Sequence, residues 1–90
     1  MPGPAPNAQQ TAPIKQFLIE RIAFYLERPI DEIDPTVPLA ESGIDSVSGT
    51  SLCGDVEDRW DINVDPTLVY DYPTIDEIAG FIWAETATRE

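Results

Sequence analysis

The chain has ninety residues, 42% of them hydrophobic, and seventeen acids against five bases give it a net charge of −12. That length supports one domain with a small core, burying about 60–65% of its unfolded surface, and leaves little room for an enclosed active-site cavity. It has no histidine and a single cysteine, Cys53, which excludes Ser-His and Cys-His catalysis, His-based metal sites and an internal disulfide.

The acidity is local. From Asp31 to Glu85 there are fourteen acids and one base, Arg59. Such a surface repels nucleic acid and anionic membranes and attracts basic protein surfaces; solubility alone is the plainer explanation. There is no basic segment followed by an apolar stretch at the start, so no signal peptide is expected. No apolar run approaches the roughly 20 residues of a membrane span, and a cytoplasmic monomer is the simplest expectation.

Residues 1–11 (MPGPAPNAQQT) hold three prolines, one glycine and no charge, the composition of a flexible tail or a linker. From Ala12 to Glu27 the pattern is helical: Ile14, Leu18, Ile22, Tyr25 and Leu26 share one face, with Gln16, Glu20 and Glu27 opposite. Phe17 and Phe24 lie toward the outer side, where they either cover loop residues, the favoured expectation, or form a docking patch. Pro29 ends this helix. Between it and Asp45 the spacing predicts an irregular stretch, because Pro35 and Pro38 oppose regular structure. Its apolar residues Ile30, Ile33, Val37, Leu39 and Ile44 are spaced like anchors over a core, and so long a loop in a compact domain is often functional.

Ser46–Trp60 reads as a second long helix, with Gly43 permitting a sharp turn before it and Ser46 a suitable N-cap. Leu52, Val56 and Trp60 point inward with Gly49 and Cys53; Val47, Ser51, Gly54, Asp55 and Asp58 face outward. Cys53 is most simply a small buried hydrophobe. An apolar Val47 on a polar face is odd for a purely structural helix. Asp65-Pro66 opens a short helical turn through Tyr70. Thr74 and Glu77 form a capping box for a last helix whose buried stripe is Ile75, Ile78, Ala79 and Ile82. No strand pair is credible, so the expected fold is all-α: a four-helix bundle of three long helices and one short one, its domain running over 12–86 with 87–90 a tail.

Three of these segments, GIDSV (Gly43–Val47), DEIDPTVPLAESGIDS upstream and YDYPTIDEIAGFI downstream, occur in the order and spacing of a known family. Over residues 14–84 the chain resembles the acyl carrier proteins, in particular the carriers of polyketide and related assembly lines. The resemblance implies that Ser46 takes a 4'-phosphopantetheine arm from coenzyme A, by way of a separate Mg²⁺-dependent phosphopantetheinyl transferase. The arm then carries acyl groups as thioesters. It further implies that Asp45 engages the transferase or its metal and that Val47 is read by partner enzymes. Asp55, Glu57 and Asp58 are similar to the acidic face that meets basic partners, though an ordinary solvated face accounts for them equally. The partners implied are the transferase, an acyl-loading ligase or acyltransferase, and a ketosynthase or other biosynthetic enzymes.

Ser46 alone would be an ordinary cap; the surrounding pattern favours attachment. The chain departs from the family where Val47 stands for leucine and where Gly49, Thr50 and Ser51 replace a small, apolar and acidic run. With the family's usual arginines absent except Arg59, a freestanding carrier is the expected arrangement. A peptidyl carrier is a variant of the same reading, and an unmodified module docking basic partners through this helix is the alternative. A serine hydrolase lacks its histidine. DVEDRWDINVD lacks the glycine and ligand spacing of a calcium loop, so no resident metal is expected.

Overall fold

The computed structural model describes residues 7–87. Three long helices form the body: α1 (Ala8–Leu26), α3 (Ser46–Trp60) and α5 (Ile75–Ala87). Two four-residue helices, α2 (Leu39–Ser42) and α4 (Leu68–Asp71), and a 3-10 turn at Ile30–Glu32 lie between them. The described residues contain no strand, so the all-α expectation stands with one short helix added.

The α1 helix starts at Ala8 rather than Ala12, so Asn7–Thr11 is not tail; residues 1–6 and 88–90 lie outside the described residues. The cause is a capping box in which Asn7 Oδ1 accepts from the Gln10 amide (2.8 Å) and Gln10 Oε1 accepts from the Asn7 amide (2.9 Å). Thr11 is thereby buried beneath the first turns. Ile14, Leu18 and Ile22 face the core as their spacing predicts, joined by Ala23. Glu27, in the left-handed region (φ 54°), closes the helix, and Arg28 returns its amide to the Ala23 carbonyl (3.0 Å) before Pro29. Phe17 packs edge-on against Trp60 of α3, ring centroids 5.0 Å apart. Phe24 covers no loop. It is exposed, with the Arg21 guanidinium 4.9 Å from its ring centre.

The stretch before α3 is more ordered than its prolines suggest. Asp34 Oδ1 accepts from the Thr36 amide (2.9 Å) and hydroxyl (2.7 Å), and Pro38 opens α2. Leu39 and Ile44 are buried anchors, Ile33 and Val37 are half-buried, and Ile30 is exposed. Backbone bonds hold the stretch as firmly as the anchors do. The Leu39 amide donates to Pro73 O (2.8 Å) and the Asp76 amide to Pro35 O (3.1 Å). Lys15 of α1 pairs with Asp76 of α5 (2.9 Å), across the contact between the two helices that touch most extensively.

Leu52, Cys53 and Val56 of α3 are buried with Ile75, Ile78, Ala79 and Ile82 of α5, and Trp60 packs half-buried against them. After Asp61, Glu57 Oε2 accepts the Val64 amide (2.9 Å) and ties the next loop back to α3. Asp65 Oδ1 takes the Thr67 amide (2.9 Å) and hydroxyl (2.8 Å), so Asp65–Thr67 is a capped turn and α4 begins only at Leu68. Thr74 Oγ1 accepts the Glu77 amide (3.2 Å) at the start of α5.

The glycines of α3 differ in purpose. A Cβ on Gly49 would come within 3.1 Å of Val69 Cγ2, so its bareness lets α4 approach closely, whereas a Cβ on Gly54 or on Gly80 of α5 would meet nothing within 4 Å. Gly54→Ala and Gly80→Ala should therefore each stabilise the fold by about 0.5–1 kcal/mol in urea denaturation. Gly49→Leu should cost about 1–3 kcal/mol by overpacking, and Leu52→Ala about 2–5 kcal/mol by leaving a cavity.

Candidate functional site

Gly43 turns the chain into the site. It ends α2 with φ 110°, a conformation L side chains rarely adopt, and a Cβ there would touch Leu26 Cδ2 at 3.4 Å. Ile44 is then set into the core, its amide on Leu39 O at 3.1 Å, and two residues later the helix begins.

The cap of α3 is Asp45, not Ser46. Asp45 has extended backbone (φ −99°, ψ −175°), and its Oδ1 accepts the Ser48 amide at 2.8 Å. A cap must lie outside the helix with its side chain turned back onto the first turn, which a carboxylate does as well as a hydroxyl and with a charge-assisted bond. Ser46 therefore becomes the first helical residue, exposed, its hydroxyl released from capping. The Ser48 amide, then the Ser48 hydroxyl, hold the Asp45 carboxyl below its ordinary range. Val47 follows with 73% of its surface in solvent. Beside the serine is a hollow of about 160 Å³ between α2, α3 and α4, lined by Leu39, Ala40, Ile44, Asp45, Ser46, Val69 and Tyr70.

The structure brings Asp45, Ser46 and Val47 together and sets the other expected residues apart. Asp55 Oδ2 takes the Arg21 Nε–H at 3.0 Å and a hydrogen bond from the Tyr25 hydroxyl. Burial, then the bond to Asp55, push the Tyr25 hydroxyl's pKa up. Glu57 serves the Val64 amide, leaving Asp58 as the exposed acid of the three. Tyr70, 67% exposed and lining the hollow, is a site neighbour the sequence pattern did not single out; its lone aromatic ring within a four-residue helix was the available signal. Burial, then the nearby Glu57 charge, raise the Cys53 pKa, so that thiol stays protonated and unreactive. Among the described residues no group of three or more acids and cysteines could hold a metal ion.

An exposed hydroxyl at a helix N-terminus, unoccupied by capping, suits attachment of a phosphodiester-linked group: the helix end favours the negative charge and solvent gives a modifying enzyme access. The family model described as "phosphopantetheine attachment site" matches residues 16–82. The chain belongs to this family. The family is non-catalytic, and its members hold 4'-phosphopantetheine covalently. The chain is 38% identical over 56 residues, 62% of its length, to a 6-methylsalicylic acid synthase of Penicillium terrestre, and 28% identical over all 90 residues to the Cluster 41 polyketide synthase of Aspergillus flavus. It spans 3% and 8% of the length of those two proteins.

Solved structures agree. A free-standing peptidyl carrier protein from an Acinetobacter baumannii secondary metabolic pathway superposes with a TM-score of 0.81 at 31% identity, over 83% of this chain and 94% of that one. The HMG-ACPI domain from the CurA module of Lyngbya majuscula superposes with a TM-score of 0.82 at 27% identity, over 99% of this chain and 90% of that one. The protein is thus a carrier protein, an all-helical phosphopantetheine-attachment domain. No described helix is long and apolar enough to cross a membrane.

The Asp45 cap carries a pH signature. A carboxyl whose folded pKa lies below its unfolded value of about 3.9 stabilises the fold above that value and loses the contribution as pH falls through the folded pKa. Asp45→Ala should lower the urea midpoint at pH 7, and the gap to wild type should close between about pH 4 and the lower folded value. Matched denaturation series at fixed ionic strength measure this; a gap that stays constant to pH 2.5 would refute the cap's ionic character.

Proposed function

We propose that Ser46 is the attachment residue and that the carrier holds acyl or polyketide intermediates as thioesters on its arm. The observation that supports it most directly is the placement of the Ser46 hydroxyl, exposed on the first turn of α3 with Asp45 doing the capping. On this reading Ser46 Oγ gives up its proton and attacks the pantetheine-side phosphorus of coenzyme A; the pyrophosphate P–O bond breaks, adenosine 3',5'-bisphosphate leaves, and Oγ becomes the ester oxygen of the phosphodiester. The arm then supplies the terminal thiol that bears the cargo.

The roles of the neighbours follow. Asp45 keeps the first turn wound while the serine is modified, and its carboxylate stands beside Ser46 where a transferase or its metal would approach. Val47 offers an apolar contact to the same enzymes. Of the remaining docking acids, Asp58 is exposed, while Asp55 and Glu57 combine any docking with their internal bonds. Polyketide cargo is supported by the likeness to the Aspergillus flavus polyketide synthase, and an aminoacyl cargo by the likeness to the Acinetobacter peptidyl carrier. The same two likenesses support, respectively, a domain within a larger synthase and a freestanding protein. A monomer in the cytoplasm is the proposed setting.

Incubation with coenzyme A and a broad-specificity phosphopantetheinyl transferase, followed by intact-protein mass spectrometry, tests the assignment. One phosphopantetheine adduct is expected on wild type and none on Ser46→Ala. An adduct retained by Ser46→Ala, or none on wild type, would overturn it.

A further inference from the structure

Arg21 and Tyr25 are four residues apart on α1, so their side chains reach one point on its surface, and that point is Asp55 of α3. Asp55 Oδ2 accepts the Arg21 Nε–H at 3.0 Å and the Tyr25 hydroxyl, and Arg21 Nη2 donates in turn to the Tyr25 oxygen at 3.3 Å. The guanidinium also lies 4.9 Å from the Phe24 ring centre and 5.2 Å from that of Tyr25. With the side chains of Arg21 and Asp55 only 35% and 27% exposed, the pair is less screened and more persistent than an open surface pair.

The helix wheel puts Asp55 on the outward side of α3, about 13 Å along the helix from Ser46. A standard interface covers about 800 Å² of each partner, enough to span that distance from the serine. Position therefore leaves Asp55 within a partner's footprint, and what withdraws it is the bond to Arg21. A partner's lysine or arginine reaching Asp55 would have to displace a guanidinium already in contact, losing one ion pair to gain another. The other charges nearby are placed differently. Asp58 and Arg59 line the same groove as Arg21, Asp55 and Phe17, with the Arg59 guanidinium 5.3 Å from the Trp60 ring centre. Glu57 holds the Val64 amide, and Asp61 is exposed past the end of the helix. Lys15 pairs with Asp76, and Arg28 is exposed just beyond α1.

We propose that Arg21 and Tyr25 mask Asp55, so that enzymes meeting this carrier do not read that acid although it lies within their reach. The two residues are then specificity-determining: they weaken the carrier's attraction for a basic face laid along the outward side of α3. The proposal rests on Ser46 being the attachment residue, since that fixes which side partners must cover. A merely structural tie between α1 and α3 predicts that breaking it only weakens the fold. A mask predicts that breaking it makes the carrier a better substrate for a basic partner, by about the worth of one exposed ion pair. Salt should abolish that gain, because screening acts over about 8 Å at physiological ionic strength.

The enzyme that modifies Ser46 has to cover the start of α3, so it is the first partner to test. With the full chain, coenzyme A and a broad-specificity phosphopantetheinyl transferase, kcat/KM for loading is measured at low and high salt. Arg21→Gln should raise it about threefold at low salt and Tyr25→Phe by less, with both gains gone at high salt. Asp55→Asn should lower loading about threefold more in the Arg21→Gln background than in wild type, the non-additivity that marks a masked group. Arg28→Gln makes the same change in net charge as Arg21→Gln and should stay within about twofold of wild type. Urea midpoints check that every variant is folded. Arg21→Gln loaded no faster than wild type or than Arg28→Gln, or an Asp55→Asn effect equal in both backgrounds, would overturn the mask while the adduct on Ser46 still forms. No adduct on wild type removes the attachment reading and the mask with it.

Discussion

The hydrogen bond from the Ser48 amide to Asp45 fixes where α3 begins, and with it what Ser46 is free to do. A helix start has orphan amides that some side chain must satisfy. Had Ser46 taken that task, its oxygen would be turned back onto the first turn and bound there. With Asp45 as cap the serine moves into the helix as its first residue, and its hydroxyl stands in solvent. Gly43 makes the arrangement possible from the other side. Only a residue tolerant of φ 110° ends α2 sharply enough to bury Ile44 and still leave Asp45 extended.

The loop carrying α2 reaches this point as a fixed strut. Leu39 supplies a buried side chain and an amide bonded to Pro73 O, so the same residue anchors the loop to the core and to the α4–α5 junction. Asp76 does likewise for α5: its amide donates to Pro35 O and its carboxylate accepts from Lys15. Gly49 completes the set by letting Val69 of α4 press against α3. The hollow beside Ser46 is bounded by parts tied to one another through buried side chains and backbone hydrogen bonds alike.

Periodicity made the core legible because burial repeats with the helix. Ile14, Leu18 and Ile22, then Leu52 and Val56, then Ile75, Ile78 and Ile82 are all inside as their spacing predicts. What escaped was governed by single hydrogen bonds that periodicity does not report. Asn7 and Gln10 extend α1 into a segment whose prolines suggested none, and Pro38 starts a helix where it was expected to prevent one. The start of α3 was placed correctly, yet its cap went to the wrong side chain, since aspartate and serine cap about equally well and only the backbone angles distinguish the two placements. The outward acids were legible as a face, but the wheel could not show that Arg21, thirty-four residues from Asp55, closes onto it.

A chain of ninety residues at −12 repels itself, and the structure shows how the excess is made useful locally. Asp34, Asp45 and Asp65 each accept a backbone amide two or three residues on, and all three carboxyls lie below their ordinary pKa, Asp34 chiefly through the Thr36 hydroxyl and then its amide, Asp45 and Asp65 chiefly through the amides of Ser48 and Thr67 and then their hydroxyls. Each stands at the entry to a turn or helix, where a fixed negative charge is better placed than a neutral group. Glu57 does the same for the loop after α3. Such bonds span only a few residues, so they oppose the long-range repulsion without needing bases to neutralise it. Two of the chain's five bases tie elements together, Lys15 to Asp76 and Arg21 to Asp55. Both ties run from α1, whereas at the entry to α3 the Asp45 charge is held by a backbone amide instead.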